Sequence, residues 1–291
     1  MKSVWIDPDR CTMCGLCTEV CVRRVLQDKD GTIAVTDPAR CIFCGHCKAV
    51  CPEDAPQVPY LRAEEFVPAP SGGDIPDPDK LLAFMRSRRS VRIYKKTPVE
   101  REKIEKIIQA GRFAPTGGNR QHLEYVVINT PEKLAEIRDK SMEVLEAQAD
   151  GIETAIIKHR DSGKTMPDSL LLASLYVDSW RELFRLHREG IDRLFYDAPA
   201  LIISHFMPIG GTSEVVDAGL SSMQMVLMAE ALGLGTCFCG FLVIAVENSP
   251  DLKEALQIPA GHVAPVSFML GYPDVKYERL VSRRRARVTW L

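Results

Sequence analysis

The chain has 291 residues, 46% of them hydrophobic and 26% charged, with 37 Lys and Arg against 39 Asp and Glu for a formal net charge of −2. That length accommodates one large domain and a small one, the apolar share suffices for packed cores, and the balanced charge offers no global basic field to nucleic acid. No apolar run reaches the roughly 18–20 residues that span a membrane, and the opening MKSVWIDPDRC lacks the apolar stretch of a secretory signal, so a cytoplasmic protein is expected.

The first features along the chain are two cysteine runs thirty residues apart, Cys11-x2-Cys14-x2-Cys17-x3-Cys21 and Cys41-x2-Cys44-x2-Cys47-x3-Cys51, the second followed by Pro52. A disulfide framework belongs to small secreted chains, and zinc ribbons use paired C-x2-C spacings that these runs lack. Thiolates spaced x2, x2, x3 can instead hold three corners of a cubic iron–sulfur cluster, with the fourth cysteine of each run reaching across to the other cluster. Two [4Fe–4S] clusters are therefore expected, one on Cys11, Cys14, Cys17 and Cys51, the other on Cys41, Cys44, Cys47 and Cys21. Residues 5–26 and 35–56 repeat one another: Asp7-Pro8 matches Asp37-Pro38, Arg10 matches Arg40, and Gly15 and Gly45 sit between equivalent cysteines. Two halves too small for separate cores would be joined by shared clusters, giving a ferredoxin-like module over residues 1–58. His46 lies within a run whose cysteine positions are all filled, so it is expected beside the cluster or exposed rather than bound to it.

Residues 59–79 carry Pro59, Pro68, Pro70, Pro76 and Pro78 with Ser71-Gly72-Gly73, which reads as a linker. Residues 80–291 alternate helix and strand signals. Helices are expected at 79–89, at 97–110 from a capping box at Thr97-Pro98-Val99-Glu100, as two segments within 131–160, and at 168–189. Strands are expected at 123–129, 198–206, from 236 and at 263–270, with an apolar helix from Ser213 and a short one from Ser249-Pro250. The elements interleave without regular βαβ spacing, which favours an α+β fold, and no G-x-G-x-x-G follows a strand.

Four segments bear chemistry. Arg88-Arg89-Ser90-Val91-Arg92 offers three guanidinium groups and a hydroxyl where a helix yields to a turn, a donor set matched to phosphate, although cations at a helix C-terminus are also favoured by the dipole. Ala114-Pro115-Thr116-Gly117-Gly118-Asn119-Arg120-Gln121 is a small, donor-rich loop that lets backbone approach a flat ligand. Gly233-Leu234-Gly235-Thr236-Cys237-Phe238-Cys239-Gly240 follows the apolar helix. Arg283-Arg284-Arg285-Ala286-Arg287 forms a basic tail. Cys237 and Cys239 read as buried small hydrophobes in preference to a redox pair.

In order and spacing, RRSVR, APTGGNRQ, DAGLSSMQMVLMAEALGLGTCFCG and GYPDVKYERLVSRRR resemble the nitroreductase family of FMN flavoproteins, and the preceding cysteines place the chain beside its ferredoxin-fused branch. The resemblance covers about residues 80–291 and implies an α+β fold of helices around a mixed sheet, assembled as a homodimer with FMN at the interface. It implies that Arg88, Arg89, Ser90 and Arg92 hold the FMN phosphate and ribityl chain, with Arg283 and Arg284 completing the phosphate pocket. Pro115, Thr116, Gly117 and Asn119 would meet the FMN bound mainly by the partner subunit, and Cys239 and Gly240 would place backbone amides near the flavin N5. Thr116 stands where serine is common, His122-Leu123 replaces a proline–tryptophan pair, and Val22 replaces the proline after the fourth cysteine of the first run.

The implied activity is FMN-dependent reduction of a small acceptor such as a nitroaromatic, quinone or activated alkene, with electrons arriving through two [4Fe–4S] clusters. The donor would be a reduced external ferredoxin, or NADH or NADPH at the open flavin face. An electron-transfer protein that serves a protein partner and has no small substrate is the alternative.

Overall fold

The structure is a computed structural model that describes residues 4–163, 165–210 and 213–291. The chain divides into two compact units, Met1–Asp77 with Thr116–Arg120, and Pro78–Pro115 with Gln121–Leu291.

The first unit follows its internal repeat. Its elements are β1 (Trp5–Ile6), α1 (Leu16–Glu19), β2 (Leu26–Lys29), β3 (Thr32–Val35), α2 (His46–Val50) and β4 (Pro56–Gln57). Strand β1 pairs antiparallel with β4, and β2 pairs with β3 across Asp30-Gly31, whose φ values of 52° and 76° suit a tight two-residue hairpin. Equivalent positions share unusual backbone: Met13 and Phe43, Gly15 and Gly45, and Arg24 and Asp54 all have positive φ. Gly15 and Gly45 head α1 and α2, helices of 4 and 5 residues that have no independent stability. The buried core is small, formed by Val4, Cys17, Val25, Leu26, Ile33 and Val58.

The second unit contains α3 (Pro78–Ser87), α4 (Arg101–Arg112), β5 (Glu124–Ile128), α5 (Pro131–Asp161), α6 (Asp168–Arg188), β6 (Ala200–Phe206), α7 (Glu214–Ala231), β7 (Gly235–Phe238), α8 (Gly240–Glu247), α9 (Pro250–Ala255) and β8 (Val263–Gly271). Its strands run in the order β5-β6-β8-β7 with antiparallel pairing throughout, and parallel pairing enters through the isolated bridge Ser90–Thr236. Alternation along β6 sends Leu201 and Ile203 to one face, against α5, α6 and α8, and Ala200 and Ile202 to the other, against α4 and α7. Helices thus cover both faces, and every residue of β6 is buried.

Three local expectations change. Helix α4 begins at Arg101 behind Glu100, not at the Thr97 capping box. Val99 is buried with Ile104 and Ile107, and Tyr272 donates its hydroxyl to the Glu100 carboxylate at 2.6 Å, so packing holds Thr97–Val99 out of the helix. The two helices expected over 131–160 are one 31-residue helix; Gly151 costs only about 1 kcal/mol of helix propensity, and Ile137, Met142, Leu145 and Ala149 anchor the helix in the core. Helix α8, missed in the sequence, is an apolar segment whose Leu242, Ala245 and Val246 are buried.

Two glycines set close approaches. A β-carbon on Gly111 would lie 2.7 Å from Met225 Cγ, where α4 crosses α7, and one on Gly235 would lie 2.6 Å from Val91 Cγ2. Replacing Gly235 by alanine should therefore lower the unfolding free energy by about 1–3 kcal/mol through overpacking, measured by urea denaturation against the parent chain.

Candidate active site

In the first unit, the turns at Gly15 and Gly45 bring each cysteine run round a cavity. One cavity is walled by Cys11, Cys14, Cys17 and Cys51, together with Ile6, Ile33 and Pro56. The other is walled by Cys21, Cys41, Cys44 and Cys47, with Val4, Val25 and Phe43. Three thiols of one run thus meet the fourth thiol of the other, twice. Burial raises the Cys17 pKa, and neighbouring Cys51, Cys11 and Cys14 raise it further. Burial, then Cys44, pushes Cys47 up to about 11. Each nest is a place where negative charge is costly unless a cation arrives. His46 is exposed and lines the wall beside Cys47. Its neighbour Lys48 is buried, where the first repeat has Thr18; its ammonium pairs with Asp54, reaches Gln57 Oε1 at 3.3 Å and lies 5.5 Å from the centre of the Phe66 ring.

In the second unit, the RRSVR segment leaves α3 and lies against β7. The Val91 N–H donates to Thr236 O at 2.9 Å, Tyr94 donates its hydroxyl to Val91 O at 2.6 Å, and the Lys95 N–H donates to Tyr272 O at 2.8 Å. Within this fixed backbone the Arg89 guanidinium spends Nη1 on Arg88 O at 2.6 Å. Its Nε and Nη2 are shut off from solvent without a hydrogen-bond partner among the described residues. A guanidinium buried with two unanswered donors is unfavourable alone and suits an anion such as phosphate. Arg88 and Ser90 are half-buried beside it.

Arg92 borders a cavity of about 170 Å³ whose wall also includes Arg193, Tyr196, Cys239, Gly240 and Met269. Both Arg92 and Arg193 lie near the Tyr196 ring, at 5.9 and 5.8 Å from its centre. The loop bearing Tyr196 is strained: Tyr196 and Asp197 both have left-handed backbone, with φ of 56° and 53°. Asp192 holds it, accepting from the N–H groups of Leu194 at 2.9 Å, Phe195 at 2.8 Å and Asp197 at 3.3 Å. Arg193 and Tyr196 escaped the sequence reading because no motif surrounds them; the signal available was Asp192, a turn-forming residue just after Gly190.

The remaining expected residues fall in three places. Cys239 is the N-cap of α8, and its N–H already donates to Ser267 O at 2.9 Å, while Gly240 opens the helix. Both Cys237 and Cys239 are buried, and burial pushes the Cys239 thiol up to about 12 against backbone N–H groups of Leu242 and Phe241 that pull it down. Thr116, Gly117 and Asn119 belong to the first unit, while Pro115 belongs to the second. The Asn119 side chain donates to Ile42 O and Phe43 O, both at 3.0 Å, in the second cysteine run. Arg283 and Arg284 lie in exposed coil, where Arg283 bonds only its neighbour Ser282 O, at 3.2 Å, among the described contacts.

Thiol nests in one unit and an arginine-rimmed cavity in the other mark a redox protein, and residues 3–52 match the 4Fe-4S dicluster domain. Residues 85–272 match the Nitroreductase family, and the chain belongs to that family of oxidoreductases. A 4-nitrobenzoate reductase of Nocardioides sp. is 27% identical over 208 residues, covering 67% of this chain and 81% of that one. A protein of Archaeoglobus fulgidus named as an NADH dehydrogenase/NAD(P)H nitroreductase is 33% identical over 195 residues, covering 67% of this chain and 86% of its own. Among solved structures, an FMN-bound nitroreductase of Desulfitobacterium hafniense aligns with a TM-score of 0.53 at 22% identity, over 72% of this chain and 98% of that one, and so shares the fold.

Asp192→Ala should lower the unfolding free energy by about 2 kcal/mol, because the N–H groups of buried Leu194 and Phe195 lose their carboxylate acceptor, as read by thermal and urea denaturation. Cys239, protonated at all ordinary pH values, should resist iodoacetamide at pH 8 in the native protein and label fully in denaturant, as read by peptide mass spectrometry.

Proposed function

We propose that the protein is a homodimeric reductase of small acceptors, with FMN as the redox centre of its second unit and two [4Fe–4S] clusters as the electron inlet of its first. When bound, FMN supplies two-electron chemistry at N5 and the clusters supply one-electron transfer. The observation that carries the flavin part of this reading is Arg89, whose buried, unanswered nitrogen atoms fit a phosphate group. The cluster part is supported by the two cavities, each walled by four thiols drawn three and one from the two runs.

The chain's own residues then have separate tasks. Arg89, with Arg88 and Ser90, binds the phosphate; Arg92 and Gly240 border the cavity of about 170 Å³, and Tyr196 and Met269 form part of its wall. Cys11, Cys14, Cys17 and Cys51 hold one cluster and Cys21, Cys41, Cys44 and Cys47 the other. The exposed Val215, Val216, Leu220 and Met223 on α7 fit a subunit interface, and Arg283 and Arg284 would complete the phosphate pocket from the C-terminus. Acceptors are nitroaromatics, quinones or activated alkenes, the first in keeping with the 4-nitrobenzoate reductases among the relatives. The donor is a reduced ferredoxin, with NADH or NADPH as the competing source.

Anaerobically purified protein should contain about one FMN, eight iron and eight sulfide per chain, and its reduced flavin should reoxidise on addition of 4-nitrobenzoate or a quinone. Absence of flavin, or reduced flavin indifferent to every acceptor class, would sink the proposal. Arg89→Gln should weaken FMN binding at least tenfold while leaving iron content unchanged, measured by fluorescence titration of the apoprotein. Comparing reduced ferredoxin with NADH and NADPH in steady-state assays assigns the donor.

A further inference from the structure

We propose that the end of the central sheet in the second unit holds a zinc ion on Glu124, His205 and His262. Glu124 is the first residue of β5 and pairs directly with His205 near the end of β6. Cross-strand partners share a face, and on these strands it is the face that carries Val126, Ile128, Leu201 and Ile203 into the larger core. Glu124 and His205 extend that face to the sheet's end, where the apolar row stops.

The third residue comes from the turn into β8. There the β6–β8 register slips, from Ser204–Val266 to Phe206–Val263, so an additional residue of β8 is accommodated opposite His205. Such bulges bend the strand and re-aim neighbouring side chains. The turn itself is held on several sides. The His262 N–H donates to Pro259 O at 3.1 Å, Lys253 Nζ donates to His262 O at 2.9 Å, and Glu247 Oε1 accepts from the Ala264 N–H at 2.7 Å. His262 is thus presented from a braced backbone, as a ligand site requires.

The ligand atoms of all three residues lie within 4.8 Å of one another. The two Nδ1 atoms are 2.9 Å apart, with His205 4% and His262 7% exposed, while Glu124 faces solvent. A hydrogen bond between two neutral imidazoles accounts for the Nδ1–Nδ1 distance alone, but gives no role to the carboxylate beside them. A tetrahedral ion with bonds of about 2.0–2.1 Å would draw all three ligand atoms to separations near 3.4 Å, a modest spreading of the imidazoles and an inward swing of the exposed carboxylate. Two imidazoles and one carboxylate suit zinc, and three protein ligands leave a fourth position for water. The ion would tie β5, β6 and the start of β8 together. None of these residues lines the cavity beside Arg92 and Cys239, so the site is independent of the flavin and cluster assignments.

The test uses full-length protein, anaerobically purified with its natural cofactors and given one equivalent of zinc chloride. Zinc per chain is measured by mass spectrometry and its ligands by X-ray absorption at the zinc edge. About one zinc per chain with only nitrogen and oxygen neighbours near 2.0–2.1 Å is expected. Glu124→Gln, at an exposed strand start, should weaken zinc binding at least tenfold with iron content and circular dichroism unchanged, and His262→Gln should abolish it. Less than a tenth of an equivalent bound overturns the proposal. So does a sulfur shell near 2.3 Å, which would place the zinc in the cysteine nests, and so does an affinity unchanged in both variants.

Discussion

The meeting of Val91 with Gly235 governs the chemistry of the second unit. Only a residue without a β-carbon lets the 90–91 backbone settle on β7, bonded from the Val91 N–H to Thr236 O. Arg89 precedes that contact and Arg92 follows it, so one close approach positions both the unanswered guanidinium and a wall of the neighbouring cavity. The same sheet edge carries Cys239 and the start of α8, and the Tyr94 and Tyr272 contacts keep the segment from sliding. The arginines gain their character from the backbone beneath them: free in solution they would be ordinary solvated cations, whereas here Arg89 Nε and Nη2 are shut off from water without a hydrogen-bond partner among the described residues.

The first unit is governed by a different imbalance. Its apolar core is slight and its helices are four and five residues long, yet it gathers four thiols round each of two cavities. As free thiols Cys17 and Cys47, one in each set, favour the protonated form, since burial and the neighbouring thiols both oppose charging. A bound cation reverses that preference and couples ligation to folding. On the proposed reading the inorganic clusters would stand where larger domains have side-chain packing.

Much of this was legible in the sequence because the relevant signals are local. The cysteine spacing survives any arrangement of the rest of the chain, and the thirty-residue repeat shows in matched glycines and prolines. Ser249-Pro250 marked the start of α9, where the Ser249 hydroxyl accepts from the Leu252 N–H at 3.1 Å. Signals failed where tertiary packing outranked local preference. Thr97–Glu100 has a capping-box sequence, but burial of Val99 moved the helix start to Arg101. Two helices are expected within 131–160, but a core-facing stripe carries a single helix through the whole segment. Asn119, in a loop whose glycines and amides suggest a cofactor contact, also donates its side-chain amide to the carbonyls of Ile42 and Phe43, a pairing between residues far apart in sequence that no local signal announces. Arg193 and Tyr196 have no motif at all; they become conspicuous only when the strained loop and the Asp192 carboxylate are seen together.

That loop has an effect on any guest of the cavity. Two successive non-glycine residues in left-handed backbone, fastened through one carboxylate, leave the segment little freedom to sample other shapes. The backbone that presents Arg193 and Tyr196 is therefore set before a ligand arrives, and little backbone ordering entropy is lost there when one does. Selectivity at that wall would then follow from rigid exclusion of misfitting molecules rather than from adaptive closure.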